Sequence, residues 1–266
     1  MAALAMGRSE VVQLLIDAGA PLTIPDEPNG FGSKTPVVVA AALLAMHSTK
    51  TAGATCLWEG WATCFRLLLA RADDKQKLAC MNEVSCYNTD CAVELISELL
   101  GSGCMLDQVI MQRMPGSVEE TAGSLTPLMH ACYHRADKCV QALLASGANP
   151  ATSISMRDQE GERQVSAMQI LKENKDKACM GLVIGALRKG LQLVGKLVHI
   201  AGTRGRVPDG TIGRVLEFRA ASGTCRVQIP QEGEDGFVAS RSPPAKGYED
   251  IPPALLELFD SSDGQQ

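Results

Sequence analysis

Leu125-Thr126-Pro127-Leu128-Met129-His130-Ala131-Cys132, followed by Cys139-Val140-Gln141-Ala142-Leu143-Leu144-Ala145-Ser146-Gly147-Ala148-Asn149, is the stretch from which the fold is read. Thr126 offers a hydroxyl to cap a helix, and Pro127 suits the first helical position, where no amide hydrogen is needed. One turn later the small Ala131 and Cys132 leave room for a neighbouring helix. The second segment is a short apolar helix that stops at a glycine, as expected where the chain enters the left-handed region to close a helix end.

These pieces recur. Lys34-Thr35-Pro36-Val37-Val38-Val39-Ala40-Ala41 repeats the opening. The ending returns in Glu10 to Ala20, stopping at Gly19, and more loosely in Val93 to Cys104, stopping at Gly103. A degenerate copy from Cys64 to Asp73 carries Ala72 at the glycine position. Helix ends at 19, 72, 103 and 147 are spaced by 53, 31 and 44 residues, against a helical-repeat period of about 33. Two intervals therefore contain insertions, the first expected within 48–60 between the two helices of the second copy, the second within about 108–123. The third copy lacks the Thr-Pro opening and rests on its period. A last helix pair, 166–172 and 177–187, also lacks that opening and fits a terminal cap.

The Thr-Pro-Leu-His-x-Ala opening and the glycine ending resemble the ankyrin-repeat family over roughly residues 1–188. The resemblance implies an α-solenoid of about four repeats plus a C-terminal cap, occupying residues 1–190. It also implies an extended concave surface of hairpin tips and first-helix residues that binds proteins without chemistry. On that surface Asn29 and Phe31 fall at a hairpin tip, and Tyr133 and His134 at exposed first-helix positions. Trp58 and Trp61, both of the protein's tryptophans, fall in the first insertion. They suit a binding hot spot and equally suit a lid on the exposed end of a core. The first copy has Met1 about where its first helix should begin, which leads to the expectation of further repeats upstream.

From residue 193 the pattern changes to alternation. Strands are expected at Gly195 to Ile200, Thr211 to Phe218 and Thr224 to Ile229, with a fourth near Gly236 to Ala239. Residues 193–243 resemble SH3-like barrels of the KOW and related types, so a small all-β barrel is expected at 191–245, making the chain a multidomain α+β protein. With only Phe218 and Phe237 in this segment, a polyproline groove of the SH3 kind is not expected. Residues 246–266 read as an acidic tail that frays, the alternatives being that its short apolar stretch from Ile251 to Asp260 docks back on the array or serves as a partner-binding helix.

Composition limits the function classes. A chain of 45% hydrophobic and 21% charged residues is not disordered. The run 37–46 is about half of what a bilayer requires, so no membrane span is expected. The N-terminus has no cationic region ahead of an apolar one, so the cytoplasm, or else the nucleus, is the expected compartment, with the ten cysteines reduced. No two cysteines make the C-x2-C of a structural zinc site. Cys132, His134 and Cys139 are close in sequence, but Cys132 and Cys139 occupy packing positions, so neither metal nor cofactor is expected. His47, His130, His134 and His199 all have structural readings, and no catalytic residue is assigned. Residues 191–246 carry eight basic and five acidic groups. A nucleic-acid-associated factor, with the barrel on RNA or DNA and the repeats recruiting partners, is therefore the alternative. The favoured reading is a monomeric, non-catalytic adaptor that binds protein partners.

Overall fold

The computed structural model describes residues 1–21, 35–46, 55–107, 125–158, 161–201, 207, 209, 211–219, 224–229 and 248–258. Among the described residues there are ten helices, α1 (Ala2–Ala5), α2 (Ser9–Asp17), α3 (Pro36–Met46), α4 (Thr55–Leu69), α5 (Asp74–Val84), α6 (Asp90–Gly101), α7 (Pro127–Tyr133), α8 (Asp137–Ala145), α9 (Ala167–Asn174) and α10 (Lys177–Leu193). Consecutive helices pair, and the pairs lie side by side. The first helices of successive pairs touch in the order α3, α5, α7, α9; the second helices touch as α2 with α4 and as α6, α8, α10. The Arg66–Glu98 ion pair at 2.9 Å bridges α4 to α6.

Local chemistry explains the boundaries. Thr126 Oγ1 accepts from the Met129 amide at 3.3 Å, capping α7 ahead of Pro127. Asp73 and Gln76 form a reciprocal capping box on α5. Thr89 Oγ1 caps α6 and also donates to the Ala45 carbonyl at 2.8 Å, tying that helix to the end of α3. Gly19, Gly103 and Gly147, where the helices were expected to stop, adopt φ of +76°, +89° and +92°. The pair expected from its period alone is present as α5 and α6.

Close approach within the stack rests on small side chains: Ala40, Ala41, Ala131 and Cys132 are fully buried. Around them Phe65, Leu44, Met81, Ile96, Leu99, Leu128 and Leu143 fill one continuous core. Two expectations need correction. The insertion placed at 48–60 is partly helix, because α4 already begins at Thr55, so Trp58 and Trp61 belong to a 15-residue helix. A hairpin that alternation alone did not suggest, β1 (Ser153–Asp158) with β2 (Gly161–Ser166), pairs from Ser153↔Ser166 to Asp158↔Gly161 ahead of α9. The second insertion, Asn29 and Phe31 lie outside the described residues.

Beyond α10 come β3 (Leu197–Ile200), β4 (Thr211–Arg219), β5 (Thr224–Gln228), β6 (Tyr248–Ile251), a 3-10 turn at Pro253–Leu255 and β7 (Leu256–Leu258). They form a five-stranded antiparallel sheet in the order β6-β5-β4-β3-β7. The three expected strands are there, and the one expected near residue 236 lies outside the described residues. Residues 248–258, read from the sequence as part of a fraying acidic tail, instead supply both edge strands. Ile251 and Leu256 are the reason, since both are buried in a second core with Leu193, Val198, Ile200, Val215, Cys225 and Val227. The observed strands form an open five-stranded sheet, since among the described residues no ladder joins β6 to β7. The proline-rich corner between them sends β7 back to β3 at the opposite edge.

The sheet sits against the helices. Gly190 of α10 lies so close to the Phe218 ring that a Cβ there would collide with it and would stand 2.9 Å from Pro253. Cys225 Sγ donates to the Gly190 carbonyl at 3.7 Å. Among the described residues no helix is long and apolar enough to cross a membrane.

Candidate functional site

The side chains with unused chemistry gather where α5 and α7 end beside each other. On α7, residues 130 and 134 are one turn apart and share a face. Their rings lie 6.5 Å apart and nearly parallel, and Tyr133 meets His134 edge-on at 5.2 Å. The next turn is pinned to α9: Asn174 Nδ2 donates to the Tyr133 carbonyl at 3.2 Å, and Arg135 Nη2 donates to the Asn174 carbonyl at 3.0 Å. Tyr133 is 48% exposed and His134 is exposed.

His130 is different. It is only 9% exposed, and both ring nitrogens are buried with no hydrogen-bond partner among the described residues. Buried polar atoms are normally satisfied, so such a ring calls for an explanation. Against the pattern Thr-Pro-Leu-His-x-Ala, Met129 stands at the histidine position and His130 at the variable one. Its role is therefore not supplied by the motif.

Facing it, the end of α5 brings Glu83, Cys86 and Tyr87. Cys86 Sγ donates to the Asn82 carbonyl at 3.3 Å, and the Tyr87 hydroxyl donates to Glu83 Oε1 at 3.1 Å. One donor atom from each of Cys86, His130 and His134 falls within 4.8 Å of the others. Burial pushes the His130 imidazole down to about 4, with the neighbouring His134 adding to the shift and the Glu83 carboxylate opposing it. Burial also lowers His134, again against Glu83. At pH 7 both rings are neutral, with a lone pair available.

The other residues expected at a binding site are distributed more widely. Trp61 is 9% exposed and donates its Nε1 hydrogen to the Ala5 carbonyl at 3.2 Å, fastening α4 to α1. Trp58 is half-buried against the same core. Both tryptophans pack toward the core, as the lid reading expects. The set Cys132, His134 and Cys139 does not converge: Cys132 and Cys139 are fully buried, and Cys139 Sγ donates to the Tyr87 carbonyl at 3.0 Å. Burial pushes both thiols up to about 12. The grouping of Cys86 with the two histidines was missed by spacing arguments; the only sequence signal for it was the one-turn spacing of His130 and His134.

In the sheet, two of the basic groups counted in residues 191–246, Arg219 and Arg226, are met by carboxylates. Arg219 reaches Glu217 at 2.8 Å and Asp250 at 2.9 Å, and Arg226 reaches the same two at 3.6 and 3.8 Å. Arg204 and Arg206 lie outside the described residues. A cleft of about 320 Å³ runs under the proline corner, lined by Leu144, Ala148, Leu182, Lys189, Pro252 and Pro253 among others.

The helix pairs lie side by side, each burying its neighbour's apolar face. The family model described as Ankyrin repeat matches residues 124–154, so the α7–α8 pair, with the start of β1, is an ankyrin repeat. No curated protein matches the chain.

Proposed function

We propose that this chain is a non-catalytic adaptor that grips protein partners along an ankyrin-type solenoid. Ankyrin repeats generally mediate protein–protein interaction, and the observation that carries the reading is the repeat at 124–154 with Tyr133 standing 48% exposed at its first-helix end. A half-exposed tyrosine held by a backbone tie to the next pair is a rigid anchor with little entropy left to lose on binding. The neighbouring helix pairs, packed side by side with it, are read as further, more divergent repeats that extend the surface. The C-terminal sheet is read as an SH3-like barrel on the support of its strand order, in which four strands follow in sequence and the fifth returns to the first after a 3-10 turn. A monomer working in the cytoplasm belongs to the same reading. The carboxylate partners of Arg219 and Arg226 weigh against the nucleic-acid alternative.

A photo-crosslinking residue in place of Tyr133 tests this, with Ser97 on the exposed side of α6 as the control. Discrete protein adducts from position 133 and none from position 97 are expected in cells. Equal labelling from both positions overturns the surface, and no protein adduct from either overturns the adaptor reading.

A further inference from the structure

We infer that Cys86, His130 and His134 form a zinc site that fastens the end of α5 to the end of α7. Three observations combine. The donor set is one thiol and two imidazoles, the soft and borderline ligands that suit Zn²⁺ and disfavour Mg²⁺ or Ca²⁺. The three donor atoms fall within 4.8 Å of one another. His130 holds two ring nitrogens buried without a hydrogen-bond partner among the described residues, so it sits where a ligand would resolve an otherwise unexplained loss.

Tetrahedral zinc with Zn–S near 2.3 Å and Zn–N near 2.0–2.1 Å sets donor separations of about 3.3–3.6 Å. The cluster therefore has to contract by at most roughly 1–1.5 Å. His134 supplies that movement, because it is exposed at the helix end and turns without disturbing the core. Cys86 is the one ligand that must ionise: its S–H bond breaks, the proton passes to solvent, and the thiolate takes the metal, with no change of oxidation state. Glu83, one turn before Cys86 and electrostatically felt by both rings, or a water on the exposed side, completes the fourth position.

The fastening has a structural purpose. Between α6 and α7 the chain runs through the insertion at 108–124, which spaces these two pairs further apart in sequence than the period requires. A metal held by α5 and α7 closes that long connection directly, the circumstance in which a cross-link removes most chain entropy. It also sets the position of Tyr133, which lies against His134.

The test uses the full chain, reduced and stripped of metal, titrated first with Co²⁺ and then with Zn²⁺. One equivalent of Co²⁺ is expected to give a thiolate-to-cobalt charge-transfer band together with tetrahedral d–d bands, both removed by Zn²⁺. Cys86→Ser should abolish the charge-transfer band, and His134→Asn should weaken Zn²⁺ binding at least tenfold. Cys132→Ala and Cys139→Ala should leave both unchanged. Circular dichroism checks that each variant is folded, and the two ligand variants lie outside the core, so either one alone carries the test. No charge-transfer band in the parent chain, or a band that survives in Cys86→Ser, overturns the site.

Discussion

The helical array and the C-terminal sheet solve the burial problem in opposite ways. The array draws on one core that continues from Leu4 to Val183, and its helices approach on alanine and cysteine. Among the described residues the sheet has a core of nine buried residues, and one of them, Leu193, is the last residue of α10. Its outer face is held by ion pairs around Glu217 and Asp250 that are largely solvated and so add little. A small core that borrows a residue from its neighbour depends on that neighbour. The array is therefore expected to stand without the sheet, and the sheet not to stand without the array.

That asymmetry is open to direct attack. The largest effect is expected from Phe65→Ala, which empties a fully buried site on α4. A loss of about 3–5 kcal/mol in urea unfolding is expected, and amide protection in β3–β5 should fall together with helical signal. Retention of sheet protection after the helices melt would break the comparison.

Alkaline pH should strike the array selectively. Cys132 and Cys139 ionise near their ordinary value of 9.0 when unfolded, but burial holds them protonated to about 12 in the folded protein. Their folded value is raised, so the stability is complete below pH 9 and is lost as pH climbs toward 12. The slope is about 1.4 kcal/mol per pH unit for each thiol. Stability measured by urea between pH 8 and 10.5 should show this decline, and replacing both by alanine should lessen its slope without abolishing it, because burial also pushes the Cys179 thiol up to about 12. The sheet contributes Cys225 alone among its described residues.

Gly190→Ala reverses the first experiment. Its methyl group would strike Phe218 and crowd Pro253, and overpacking of this kind costs about 1–3 kcal/mol. Hydrogen exchange should quicken in 211–228 while 127–145 stays protected; faster exchange in both would mean that the array leans on the sheet. The smallest change expected is a gain. Lys175 closes α9 in the left-handed region at φ +55°, and Lys175→Gly should add up to about 1 kcal/mol, read as a higher melting temperature of the helical signal.

What was legible in the sequence followed the same division. Gly19, Gly103 and Gly147 marked helix ends because a left-handed φ leaves little choice of residue, and Thr126-Pro127 marked a start because capping chemistry is local. The α5–α6 pair was readable from its period. The edge strands at 248–258 were not, because Pro252 and Pro253 interrupt them and acidic neighbours hide the two residues, Ile251 and Leu256, that are buried. The tryptophans were misplaced because a helix that begins early looks like an insertion when only spacing is measured. Cys86 and His130 come from different helix pairs, and only packing α5 against α7 brings them together. Tyr133 and His134 were within reach because they follow directly on the motif that decides the fold.

The proline corner bears on α8 as well as α10: Pro252 lies 3.3 Å from where a Cβ on Gly147 would stand. The sheet is thus seated on two successive helix pairs at once and cannot swing as a bead on a string. Any ligand long enough to touch both halves meets them at a fixed separation and angle. Its second contact forms without the search through linker conformations that tethered modules require.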